Sequence, residues 1–205
     1  IGFAELIRVQ TALHNCRILR NRLTNCFVGI SSQPGLGGPN YFQHNVMFNI
    51  VLSAFKLHRY SQGDVILHNT VIKAGDGLGI YTSEPFDHAR IEHNLFIGGK
   101  APEADSYGGY SPGRGRAVDV QRFGDHCRID HNTYVVVGRQ FEGKIGSWTF
   151  TGLPGPVFET RGRVAEGPVP FPSDPATVHE PPDFEAVHRS VGFDDGEPAP
   201  VYGPR

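Results

Sequence analysis

Large apolar residues recur along this chain at fixed distances from asparagine. Aligning Asn21, Asn45, Asn69, Asn94 and Asn132, which step by 24, 24, 25 and 38 residues, brings Ile18, Phe42, Ile66, Ile91 and Ile129 into one column three residues upstream. Leu23, Met47, Val71, Phe96 and Tyr134 fill a second column two residues downstream. Another set of short segments lies twelve to fourteen residues before the asparagines: "IRV" at 7–9, "FKL" at 55–57, "IYT" at 80–82 and "VDV" at 118–120. "GISS" at 29–32 takes that place in the coil between Asn21 and Asn45. Mostly apolar outer positions around a polar or amphipathic centre describe a half-buried strand.

A period near 24 residues marks a stacked repeat, in which no unit can bury a core alone. Each unit supplies three short strands separated by turns. Stacking coil on coil pairs every strand with its equivalent about 4.8 Å away. The pattern therefore predicts an all-β chain, a single-stranded parallel β-helix or solenoid. No stretch is expected to form more than incidental helix, because none combines a sustained 3.6-residue period with caps.

Two polar columns accompany the apolar ones. The asparagines are expected to turn inward at tight corners and to hydrogen-bond to backbone and to one another. The residues before them are Arg20, His44, His68, His93 and His131. These should face outward and stack, since parallel rings suit a tetrahedral ion poorly and no carboxylate shares the column.

The repeat resembles that of the right-handed parallel β-helix proteins of the pectate-lyase-like superfamily. The resemblance rests on the motif Ile-x-x-Asn-x-apolar and covers residues 7 to about 145. It implies a right-handed solenoid and a secreted, periplasmic or cell-surface location. It is far less specific for activity, because lyases, hydrolases, epimerases and non-catalytic adhesins share the fold.

Composition changes the picture after residue 147. Eleven of the 16 prolines fall between 154 and 204, and proline cannot supply the interior of a sheet. The expected division is residues 1–149 as β-helix coils and 150–205 as an extended Pro-rich tail. That tail would pack on or cap the helix through Phe158, Phe171 and Phe184. The net charge of −2, without basic clusters, excludes a nucleic-acid groove. No apolar run approaches a membrane span. The three cysteines lack zinc or redox spacing and suit small buried thiols. The chain opens on "IGFAELIRVQ" without Met or an intact signal peptide, so further coils are expected upstream.

Candidate chemistry lies on the "IRV/FKL/IYT/VDV" strand. Its central column would read Arg8, Ser31, Lys56, Tyr81 and Asp119, with Gln10, His58, Ser83 and Gln121 two residues on. Such a ribbon suits an extended sugar chain. The surplus of the long fourth step, "GGKAPEADSYGGYSPGRGRA" at 98–117, adds Tyr107, Tyr110, Arg114 and Arg116, types that stack on sugars and pair with uronate carboxylates. A lyase or epimerase needs a base for the proton α to a carboxylate and a cation to neutralise that acid. Lys56, His58, Tyr81 and Asp119 are the catalytic candidates. Arg8, Arg59, Tyr107, Tyr110, Arg114, Gln121 and Arg122 are the substrate-binding ones.

No cofactor is required and no metal ligands are assigned. Ca²⁺ is the ion that Asp119 could hold with Glu84 or Asp125. A glycoside hydrolase, needing two carboxyl groups, and a carbohydrate-binding protein without catalysis stay open beside the lyase. The expected partner is polysaccharide, and the sequence leaves oligomeric state undetermined.

Overall fold

The computed structural model describes residues 5–10, 14–33, 38–57, 63–80, 87–100, 112–155, 157–172, 174, 175 and 177–196. Its sixteen strands are β1 (Glu5–Gln10), β2 (Arg17–Leu19), β3 (Arg22–Gln33), β4 (Tyr41–Gln43), β5 (Val46–Leu57), β6 (Val65–Leu67), β7 (Thr70–Ile72) and β8 (Leu78–Ile80), then β9 (Arg90–Glu92), β10 (Leu95–Gly99), β11 (Val118–Val120), β12 (Arg128–Asp130), β13 (Thr133–Val137), β14 (Gly143–Ile145), β15 (Trp148–Phe150) and β16 (Arg163–Val164). One helix, α1 (Phe184–Val191), follows them. The strands form three sheets, ordered β1-β3-β5-β7-β10-β13-β16, β2-β4-β6-β9-β12 and β8-β11-β14-β15. Every pairing is parallel except β14 with β15. The protein is thus predominantly β, in mostly parallel sheets whose neighbours are successive repeats, an arrangement compatible with a solenoid.

The repeat period sets the register. Ile18 pairs with Phe42, Phe42 with Ile66, Ile66 with Ile91 and Ile91 with Ile129. Leu23, Met47, Val71, Phe96 and Tyr134 pair in the same succession. Both columns point into one continuous core, where Phe42, Met47, Ile66, Val71, Ile91, Phe96 and Tyr134 are fully buried. Each such side chain contributes roughly 1.5–3 kcal/mol.

The corners follow the asparagines. Asn45, Asn69, Asn94 and Asn132 are fully buried. Each donates its Nδ2 to a backbone carbonyl of the previous coil: Ile18, Phe42, Ile66 and Ile91 respectively, at 2.8–2.9 Å. The Nδ2 groups of Asn21, Asn45, Asn69 and Asn94 also donate to the Oδ1 of the next asparagine at 2.9–3.0 Å. The sharp bend falls on the residue before each asparagine. Arg20, His44, His68, His93 and His131 all lie in the left-handed region, with φ between 53° and 59°. That conformation is costly for a side-chain-bearing residue, and the amide ladder beside it secures the bend.

The ladder ends on Glu159. Its carboxylate accepts from Asn132 N and Nδ2 at 3.2 and 2.7 Å and from the Tyr134 hydroxyl at 2.6 Å. Glu159 is fully buried, and that burial raises its pKa to about 7 against the three donors that favour its charge.

Two sequence expectations need correction. "VDV" at 118–120 pairs with "LGI" at 78–80, placing Asp119 opposite Gly79 instead of Tyr81. Gly79 breaks the apolar–polar–apolar pattern, so the triplet that pairs lies two residues before the one that keeps the pattern. Second, the segment expected to be extended contains α1. Asp183 caps it by accepting from Glu185 N and Ala186 N, and Gly192 closes it in the left-handed conformation. Phe184, Val187 and Val191 are buried with Phe48, Ile72, Leu95, Ile97 and Val135 of the seven-stranded sheet. Phe171 packs into the same cluster. Phe158 meets Phe123 edge-on, with ring centroids 4.7 Å apart.

Candidate functional site

The structure divides the expected ribbon into two parts. Arg8 on β1 pairs with Ser31 on β3, which pairs with Lys56 on β5. Arg8 is exposed, Ser31 buried and Lys56 half-buried. Asp119 belongs to another sheet, on β11, between Gly79 and Lys144. Strand β8 lies beside β5, so the two sheets adjoin there. His58, Arg59, Tyr81, Tyr107 and Tyr110 fall outside the described residues, as does Glu84.

At β11 the chain builds a clasped carboxylate. Arg116 Nη1 donates to Asp119 Oδ2 at 2.7 Å, while its Nε donates to Glu142 Oε1. Hydrogen bonding from Arg116 is the main cause holding the Glu142 carboxyl below its ordinary range. Asp119 is buried, and its Oδ1 has no hydrogen-bond partner among the described residues. An unsatisfied buried carboxylate oxygen is a costly feature.

Upstream, Asp76 fixes the return of the long excursion. Its Oδ1 accepts from the backbone N–H of Arg114 at 3.0 Å and of Arg116 at 2.7 Å. Lys73, fully buried, donates Nζ to Pro112 O at 2.9 Å. Burial pulls its pKa down to about 8, partly opposed by Asp76. Among the predicted binding residues, Arg114, Gln121 and Arg122 are exposed. The Arg114 carbonyl accepts from Arg139 Nη1, and Gln121 N donates to Ile80 O at 3.2 Å.

The histidine column behaves as expected of stacked rings. His44–His68, His68–His93 and His93–His131 centroids lie 5.0, 5.2 and 4.6 Å apart. Desolvation is the largest cause lowering the pKa of His44, His68 and His93.

Sequence reasoning missed a second polar corner. Asp87, His88 and His126 offer ligand atoms within 4.8 Å of one another, and among the described residues they are the group that could hold a metal ion. The signal was present: His88 and His126 are 38 residues apart, the same step as Asn94 to Asn132. They are equivalent positions in successive coils, hidden by the long excursion between them. Comparison with protein-family models, curated proteins and solved structures gives no match to this chain.

Proposed function

We propose that this chain is a right-handed parallel β-helix of the pectate-lyase-like kind that acts on a uronate-containing polysaccharide. The observation that supports this reading best is the register Arg8–Ser31–Lys56, which sets exposed Arg8 and half-buried Lys56 two rungs apart, at about 4.8 Å per rung, on either side of buried Ser31. An extended acidic polymer laid across the rungs would meet a cation at Arg8 and another at Lys56. In the lyase or epimerase route, a base removes the proton α to the uronate carboxylate and a nearby cation stabilises the resulting anion. Lys56, His58 and Tyr81 are the bases proposed for that step, with Arg59, Arg114 or Arg122 as the neutralising charge.

A second reading, glycan binding without catalysis, draws on the Arg116 clasp. Asp119 and Glu142 both pair with one guanidinium, which ties up both carboxylates and holds the Glu142 carboxyl below its ordinary range.

Incubation with a panel of uronate polymers separates the readings. Growth of the ultraviolet absorbance of an unsaturated uronate is the expected result, abolished by Lys56→Ala. New reducing ends without that absorbance would mean hydrolysis. Binding with neither would leave the non-catalytic reading, and no binding by any polymer would overturn the proposal.

A further inference from the structure

The turns that lead into β9 and β12 place two imidazoles and a carboxylate at one exposed corner. Arg90 pairs with Arg128 across the five-stranded sheet, so His88 and His126, each two residues earlier, occupy the same position one coil apart. Their rings stack at 4.6 Å with 17° between planes. His88 has φ 55°, the left-handed bend that brings its side chain out at the corner.

Asp87 is locked between them. Its Oδ1 accepts from His88 N at 2.8 Å and His126 N at 3.1 Å. Its Oδ2 lies 3.1 Å from His126 Nδ1 and 3.6 Å from His88 Nδ1. The neighbouring cations are already neutralised: Arg90 and Arg128 both pair with buried Glu92, and Arg128 also approaches Asp130. Asp125, exposed beside His126, adds a second negative charge.

We propose that Asp87, His88 and His126 form a binding site for a zinc-class divalent ion, with a fourth position open to water or a ligand. Two imidazoles and one carboxylate are a ligand set that zinc takes in open sites. At Zn–N distances of about 2.0–2.1 Å, tetrahedral geometry sets ligand atoms roughly 3.3 Å apart. The present atoms, all within 4.8 Å, reach that spacing by side-chain rotation alone, because the histidine side chains are 60% and 66% exposed. The long histidine column offers no equivalent. Its rings, half-buried except for exposed His93, are held against their neighbours, and among the described residues only its last member, His131, lies within ion-pair distance of a carboxylate, Asp130 at 3.4 Å. This inference does not rest on the polysaccharide reading.

Titrating the full chain with Zn²⁺ near neutral pH, followed by calorimetry, tests it. One zinc per chain is expected. His88→Ala and His126→Ala should each weaken it at least about tenfold, with far-ultraviolet circular dichroism unchanged. His93→Ala, in the other column, should leave it intact. No zinc uptake overturns the proposal, as does uptake that survives both corner variants or disappears in His93→Ala. Titration with Ca²⁺, which takes oxygen ligands, should show no binding that His88→Ala and His126→Ala remove; such binding would overturn the zinc assignment.

Discussion

Two histidine columns run along this molecule, and they differ in what stands beside them. His44, His68, His93 and His131 each precede a buried asparagine, in a bend the amide ladder secures. His88 and His126 precede Ala89 and Cys127, which have no amide side chain to extend a ladder, and have a carboxylate between them instead. The same ring spacing therefore serves different ends. Beside the ladder, stacking covers the bend and burial disfavours protonation. Beside Asp87, which accepts a hydrogen bond from its ring, His126 is held more basic than usual. What a stacked histidine does depends on its neighbour in the sequence as much as on the ring next to it.

The largest expected effect is on the ladder side. Asn69→Ala removes donors to Phe42 O and Asn94 Oδ1, strands Asn45 N in the interior and takes one of the two acceptors of Asn45 Nδ2. We expect a loss of about 4 kcal/mol, read as a fall of roughly 10 °C in melting temperature.

Next comes the end of that ladder. The folded pKa of Glu159, about 7, lies above its ordinary value of 4.5. Its contribution to stability is therefore full below about pH 4.5 and is lost as pH rises through 7, on the order of 3 kcal/mol in all. The lowered histidines act oppositely, losing stability as pH falls below 6.5 through their folded values. Only the difference between the protein and Glu159→Gln isolates the carboxyl: the variant should gain relative stability between pH 5 and 7. A constant difference across that range would show that Glu159 does not titrate there.

Smaller still, His68→Ala should cost about 1 kcal/mol in urea unfolding through lost stacking on both sides. His126→Ala should leave the urea midpoint close to that of the parent, as an exposed side chain with one hydrogen bond. Equal losses in these two variants would erase the distinction between the columns.

The interior was largely legible in the sequence because it obeys one period. The columns headed by Ile18 and Leu23 appear in the register as the spacing predicts, and the asparagines bond as their burial requires. The outward chemistry was less legible because nothing forces it to keep the period. Gly79 gave no polar centre to align with Asp119, so Tyr81 was placed a pair too far along. Helix α1 was overlooked because its apolar positions 184, 187 and 191 span barely two turns among prolines, although Asp183 and Gly192 mark its ends. Glu159 escaped notice because it continues an asparagine column with a different residue at a different spacing. His88 and His126 were obscured by the 38-residue step that separates them.

The interior holds together through asparagines that act as one continuous ladder and not as five independent turns. A double-mutant cycle between Asn69 and Asn94, measured by equilibrium unfolding, tests this directly. Coupling of about 1–3 kcal/mol is the predicted result, since Asn69 N and Nδ2 both donate to Asn94 Oδ1 at 2.9 Å. Losses that add to within about 0.5 kcal/mol would contradict it.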